Sequence, residues 1–187
     1  EKKKHAHTRT PLPASQRPTL SLSLHSSDSG AVAAEAKVPY PASPVPDWAD
    51  AWRAGLTAAL ASLPPEALAA TAGAAVAGTS ASVLLVDAGG DWRVPLAPAR
   101  LYSDGASPAA VALLRGLAKG GHTAAAPTAS AAKAVDWWLA GEEGPPSSPL
   151  AAALAAASAP TVASAADWIA ALLAGDASRL AFTDDNN

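Results

Sequence analysis

"SVLLVDAGGDWRVPLAPARLYS", residues 82–103, decides how the chain is read. Val83, Leu84, Leu85 and Val86 run together without a polar break, the pattern of a strand buried on both faces. Ala88-Gly89-Gly90-Asp91 supplies turn chemistry behind it, and a short strand near 99–103 is expected to finish the sheet. Just upstream, "AAVAG" (74–78) reads as one more strand.

Further upstream the period changes. Trp48, Trp52, Leu56, Leu60 and Leu63 fall four, four, four and three residues apart, one stripe along a helix. Asp47 is its natural N-cap and Pro64-Pro65 its stop. Before that helix, "TLSLSLH" (19–25) alternates Leu20, Leu22 and Leu24 with polar residues, which predicts a strand with one buried face. "SSDSG" (26–30) turns the chain, and Val32 and Val38 continue it as a second strand, giving a β-hairpin. Residues 1–18 carry charge, Pro and Ser without apolar periodicity and are expected to be a disordered lead. Downstream the pattern is helical in four blocks, 107–121, 128–141, 147–158 and 164–175, punctuated by Gly and Pro. Helices packed on a sheet make the fold class α/β or mixed α+β.

At 187 residues the chain is long enough for one sizeable core, burying roughly 70% of its unfolded surface. Hydrophobic residues are 50% of the composition, but Ala occupies 52 positions and buries little area each, so Leu, Val and six Trp must carry the core. The net charge of −3 argues against a nucleic-acid partner, because the one basic cluster is "EKKKHAHTR" (1–9). His5 and His7 have no Cys or carboxylate pair beside them to complete a metal site. With no cysteine, the chain suits a reducing compartment, and the basic Ser/Pro-containing start could be the remnant of a transit peptide. The expected setting is therefore intracellular, in the cytoplasm or a plastid. The longest apolar stretches are broken by Gly, Ser, Pro and Asp, so no membrane span is expected.

Three segments in order resemble the N-terminal domain of the FGGY family of carbohydrate kinases. "VAGTSASVLLVDAGGDWRVPLAPARLYSD" (76–104) is similar to a substrate segment, an apolar strand ending in Asp, and a Leu-Tyr-Asn-Asp type motif. "APTASAAKAVDWWL" (126–139) resembles a helix in which Lys133 precedes Trp137 by four residues. "SAADWIAALLAGDASRLAFTDDNN" (164–187) resembles an Asp-Trp-Leu helix, a Leu-Thr-Gly stop and a Thr-Asp-x-x-Asn element. Gly78-Thr79-Ser80 looks closest to ribulokinase- and xylulokinase-like members of photosynthetic organisms. The resemblance implies a ribonuclease H-like (actin-like ATPase) fold with a mixed sheet over 19–187, incomplete, and a reaction in which ATP with Mg2+ phosphorylates a ketopentose or polyol hydroxyl. It places a small-molecule sugar against Thr79, Ser80, Asp104 and Asp184.

The same resemblance has gaps. No apolar strand with an Asp-Phe-Gly-Thr-Ser turn precedes Thr19, and the family's catalytic Asp and nucleotide-binding domain lie beyond the Asp-x-x-Asn element within which these residues end. The expectation is a partial kinase, inactive alone, with no catalytic or metal residue assigned; a degenerate, non-catalytic sugar-binding or scaffold domain is the alternative. Ser80 and Ala81 fall where the family pairs its polyol contacts, and Ala81 offers no side-chain hydrogen bond. Thr128 stands where polyol-specific members carry Tyr, and Ser103 replaces the Asn of the Leu-Tyr-Asn-Asp motif. Each residue also has a plainer reading: Thr79 and Ser80 as turn formers, Asp104 before Gly105 as a turn or cap, Lys133 as a solvated helical charge, and Trp137, Trp138 and Trp168 as core or interface rings.

Overall fold

The alternation of Leu20, Leu22 and Leu24 does produce a strand. β1 (Thr19–His25) pairs antiparallel with β2 (Val32–Pro39), with Leu20 opposite Val38 and Leu22 opposite Ala36. Gly30 closes the turn at φ +69, where its amide donates to Ser26 O (2.8 Å) and an L side chain would be strained. These features come from a computed structural model, which describes residues 18–41, 45, 47–118, 122–142, 145 and 148–181. The expectation of a disordered lead at 1–18 thus falls almost wholly outside the described residues. Where one core is expected from length, the chain divides into two compact units after Gly73.

In the first unit α1 (Trp48–Ser62) begins where the sequence places it. The Asp47 carboxylate accepts from the amides of Ala49 (2.8 Å) and Asp50 (3.2 Å), satisfying two of the donors a helix start leaves open. Trp52, Leu56 and Leu63 of the predicted stripe are buried, and Ala36, Ala59 and Leu63 form a small core with the inward Leu residues of β1 around it. Helix and hairpin approach closely at Gly55, where a Cβ would stand 3.3 Å from the Tyr40 ring. Pro64-Pro65 ends α1 as expected, and Pro65 then opens a short α2 (Pro65–Ala69). Replacing Asp47 by Ala is expected to destabilise this unit by about 1 kcal/mol, read as a lower denaturation midpoint; no change would mean that solvent serves the two amides equally well.

The second unit is built around β3 (Val83–Asp87), whose Val83, Leu84, Leu85 and Val86 are all buried. Its partner was not expected: β4 (Pro160–Ser164) lies antiparallel beside it, pairing Leu85 with Val162. On the other side, among the described residues, the backbone hydrogen bonds to β3 come from Leu96, whose amide donates to Leu85 O (2.8 Å), and from Arg100, which exchanges two hydrogen bonds with Val83. The strand expected at 99–103 is therefore reduced to a single bridge. The strand expected at 74–78 does not form, since exposed Ala and Gly around a half-buried Val76 have little apolar area to bury. The described strands make two separate two-stranded sheets, not one.

All four helical blocks of the second half form. They are α3 (Pro108–Leu117), α4 (Ser130–Glu142), α5 (Pro149–Ala156) and α6 (Ala165–Ala174). Ser107, Ser148 and Ser164 cap three of them, each hydroxyl accepting from an amide three residues on. Gly175 ends α6 in the left-handed region at φ +67. Trp137 of α4 joins Val83 and Leu85 on one face of β3, with Leu150 and Leu154 of α5 packed against them. α6 also packs on β3, and its Trp168 is fully buried, with Nε1 donating to Trp92 O at 3.2 Å. The chain is mixed α/β with small antiparallel sheets and six α-helices among the described residues, none of them long and apolar enough to cross a membrane.

Candidate functional site

Where β3 begins, the chain makes the turn Thr79–Ser82, closed by the Ser82 amide donating to Thr79 O at 3.2 Å. Thr79 and Ser80 are exposed. Ala81 sits at φ 59, a left-handed conformation that costs a non-glycine residue about 1–2 kcal/mol. Ser82 is buried and fixes the turn from below: its hydroxyl accepts from Tyr102 N (3.1 Å) and its carbonyl accepts from Ala165 N (2.8 Å).

A second turn, Leu101–Asp104, lies beside the first. Asp104 N donates to Leu101 O at 3.0 Å, and the Asp104 carboxylate accepts from Leu101 N at 2.7 Å, so Asp104 does have the turn-forming role that its plainer reading assigns. Its side chain remains exposed. Both turns are tied to one cation. Lys133, in the first turn of α4, is fully buried, and its Nζ donates to Ala81 O and to Leu101 O, each at 2.6 Å. The reading of Lys133 as a solvated helical charge is thereby corrected: the helical stripe is mostly Ala, and carbonyls 52 and 32 residues upstream replace the water. A cation near a helix N-terminus opposes the helix dipole, so those two contacts must offset a local cost. Burial pulls the Lys133 pKa below the ordinary lysine value; the Asp104 charge works against that shift and Arg100 adds to it.

Beneath the second turn Arg100 reaches Asp136 Oδ2 and Gly105 O, both at 2.6 Å, and lies 5.8 Å from the centre of the Trp137 ring. Asp136 Oδ1 accepts from Ser107 N at 3.1 Å. Burial pushes the Asp136 pKa up, but the Ser107 and Arg100 hydrogen bonds outweigh it and leave the carboxyl below its usual range. Sequence reasoning missed this pair; the signal available was an Asp on α4 one turn beyond Lys133 and an Arg beside the expected 99–103 strand.

Thr79, Ser80 and Asp104 are therefore brought to neighbouring turns that share one ammonium anchor. Asp184 lies outside the described residues. Together the two turns present hydroxyl and carboxylate groups that can donate to and accept from the hydroxyls of a small polar ligand. Among the described residues no three His, Asp or Glu side chains gather to hold a metal ion, so no residue is assigned to Mg2+.

The other end of β3 is knotted by Asp87. Its carboxylate accepts from the amides of Ser158 (3.0 Å), Ala159 (2.7 Å) and Gly89 (3.1 Å), and from Ser158 Oγ (3.2 Å). A Cβ at Gly90 would stand 2.5 Å from Asp87 Oδ2, so a side chain there would push the carboxylate out of these bonds. The Ser158 and Ala159 amides hold this carboxyl below its ordinary pKa. A lowered folded-state pKa gives stability that is present above the unfolded value, about 3.9, and is lost as pH falls through the folded one. Acid titration of stability should thus show a limb that Asp87→Asn makes shallower; an acid limb of unchanged depth would remove Asp87 as a contributor.

Compared with known proteins, the chain matches no protein-family model and no curated protein.

Proposed function

We propose that the second unit supplies part of the sugar site of a carbohydrate kinase of the FGGY type. In this reading the fold is ribonuclease H-like, the ligand is a ketopentose or related polyol, and the reaction is phosphoryl transfer from ATP with Mg2+. The setting is the cytoplasm or a plastid. The observation that carries the proposal is the tether at Lys133, which holds the turn bearing Thr79 and Ser80 next to the turn bearing Asp104. The three residues that the resemblance places against sugar, and that the structure describes, are thus brought into one neighbourhood across more than 20 residues of chain.

Phosphoryl transfer needs an oriented acceptor hydroxyl as well as a base and a bound nucleotide. Thr79, Ser80 and Asp104 are assigned only to orienting the acceptor. A non-catalytic sugar-binding or scaffold role is the second reading, favoured by Ala81, whose side chain offers nothing to a hydroxyl and whose carbonyl is already engaged by Lys133. Calorimetric titration of the 187-residue chain with D-ribulose, D-xylulose and glycerol tests the shared core of both. The expected result is ketopentose binding with a Kd of roughly 1 mM, near −4 kcal/mol, weakened by Thr79→Ala and Ser80→Ala. Absence of heat with all three compounds overturns the kinase reading and the sugar-binding form of the second, and leaves only a scaffold without a sugar site. Coding sequence on either side of this stretch separates them: an Asp-Phe-Gly-Thr segment upstream and a nucleotide-binding domain downstream support the kinase.

A further inference from the structure

Lys133 is more than a packed side chain. A fully buried ammonium in the first turn of a helix is a poor choice for stability alone, since burial and the helix dipole both disfavour it. What it holds is unusual as well: one of its two acceptors is the carbonyl of Ala81, a left-handed non-glycine residue next to the two exposed hydroxyls. The other acceptor, Leu101 O, belongs to the turn that Asp104 caps from its own side chain. Left-handed backbone at an alanine persists only where the surroundings impose it. Among the described contacts two do so: Ser82, buried and bonded to Tyr102 and Ala165, fixes one end of the turn, and the Lys133 ammonium draws in the Ala81 carbonyl.

We infer that Lys133 is a positioning residue, one that sets the ligand affinity of the Thr79–Ser80 and Asp104 turns by clamping them together without touching the ligand. The inference rests on the polyol-site reading for the identity of the ligand, but the clamp can be measured without any ligand. The strained turn and the self-capped turn are separately irregular; held to one ammonium they keep a fixed spacing, and the entropy of ordering them is lost on folding and not on binding.

The test compares the wild-type chain with Lys133→Met, which keeps the length of the side chain and removes its donors. Amide hydrogen exchange and D-ribulose titration are both read. The clamp predicts exchange about tenfold faster or more at Ser82 and Asp104, while the amides of Leu84 and Val86 in β3 keep their protection. It also predicts that the D-ribulose Kd of the folded protein rises by about tenfold. If Lys133→Met does not fold, Lys133→Met with Ala81→Gly removes the left-handed strain and allows the same two readings. A side chain that served packing alone would lower the melting temperature and leave the Kd of the folded molecules unchanged, and that result overturns the inference. Unchanged exchange at both turns overturns it too. If wild-type protein binds no sugar, the polyol reading fails together with the ligand half of this inference, and exchange alone decides whether the clamp exists.

Discussion

Trp168→Ala is expected to remove a large share of the stability of the second unit. The indole is fully buried, comes from α6 onto β3, and donates Nε1 to Trp92 O across 76 residues of chain. Losing a buried ring of this size costs about 3–5 kcal/mol, and the orphaned carbonyl adds to it. Domains are stable by only about 5–15 kcal/mol in total. With a urea m-value of about 2 kcal/mol/M, the denaturation midpoint should fall by about 2 M. Trp168→Phe, which keeps a ring and loses the donor, should cost less than half as much. A Trp168→Ala midpoint within a few tenths molar of wild type would mean that α6 does not pack on the strand.

The second large effect is expected at Asp136. Arg100 and Asp136 have side chains only 19% and 20% exposed, and their bond ties the start of the second turn to α4. Asp136→Ala would strip the guanidinium of its carboxylate and the Ser107 amide of its acceptor together. Breaking a buried pair costs about 3–5 kcal/mol; with partial solvent access here, about 2–3 kcal/mol is expected. Arg100→Met combined with Asp136→Leu should recover part of that loss, because no lone charge is left behind although the Ser107 amide still lacks its acceptor. The pH dependence has a fixed sign. Asp136 has a lowered folded-state pKa, so its contribution is complete above the unfolded value of about 3.9 and disappears as pH drops through the folded one. A double variant as unstable as Asp136→Ala would show that the packing, and not the stranded charge, is what matters.

How much of this was legible in the sequence follows the range of the interactions. Local signals were reliable: the alternation of Leu20, Leu22 and Leu24 gave the hairpin, Asp47 capped α1, and Ser107 and Ser164 stood at the starts of α3 and α6. β4 was hidden because "PTVAS" offers one Val between two Ala-rich helices, and only its pairing with β3 makes it a strand. The reverse error, a strand at 74–78, arose from a run of small residues that finds no partner among the described residues. Thr79, Ser80 and Asp104 were named from resemblance, and nothing in their own spacing says that they meet. Lys133 looked like an ordinary helical lysine because its partners are backbone carbonyls 52 and 32 positions away, which no sequence pattern marks. The Arg100–Asp136 pair, 36 residues apart, was invisible for the same reason.

The central claim is that the turns at 79–82 and 101–104 together form a polyol site. Amide chemical-shift mapping of the 187-residue chain during titration with D-ribulose addresses it most directly. The predicted result is a saturable set of shifts concentrated at Thr79, Ser80, Ala81 and Asp104, with residues of the β1–β2 hairpin unmoved. Shifts that appear elsewhere and spare both turns, or no shifts at sugar concentrations well above 1 mM, would contradict it.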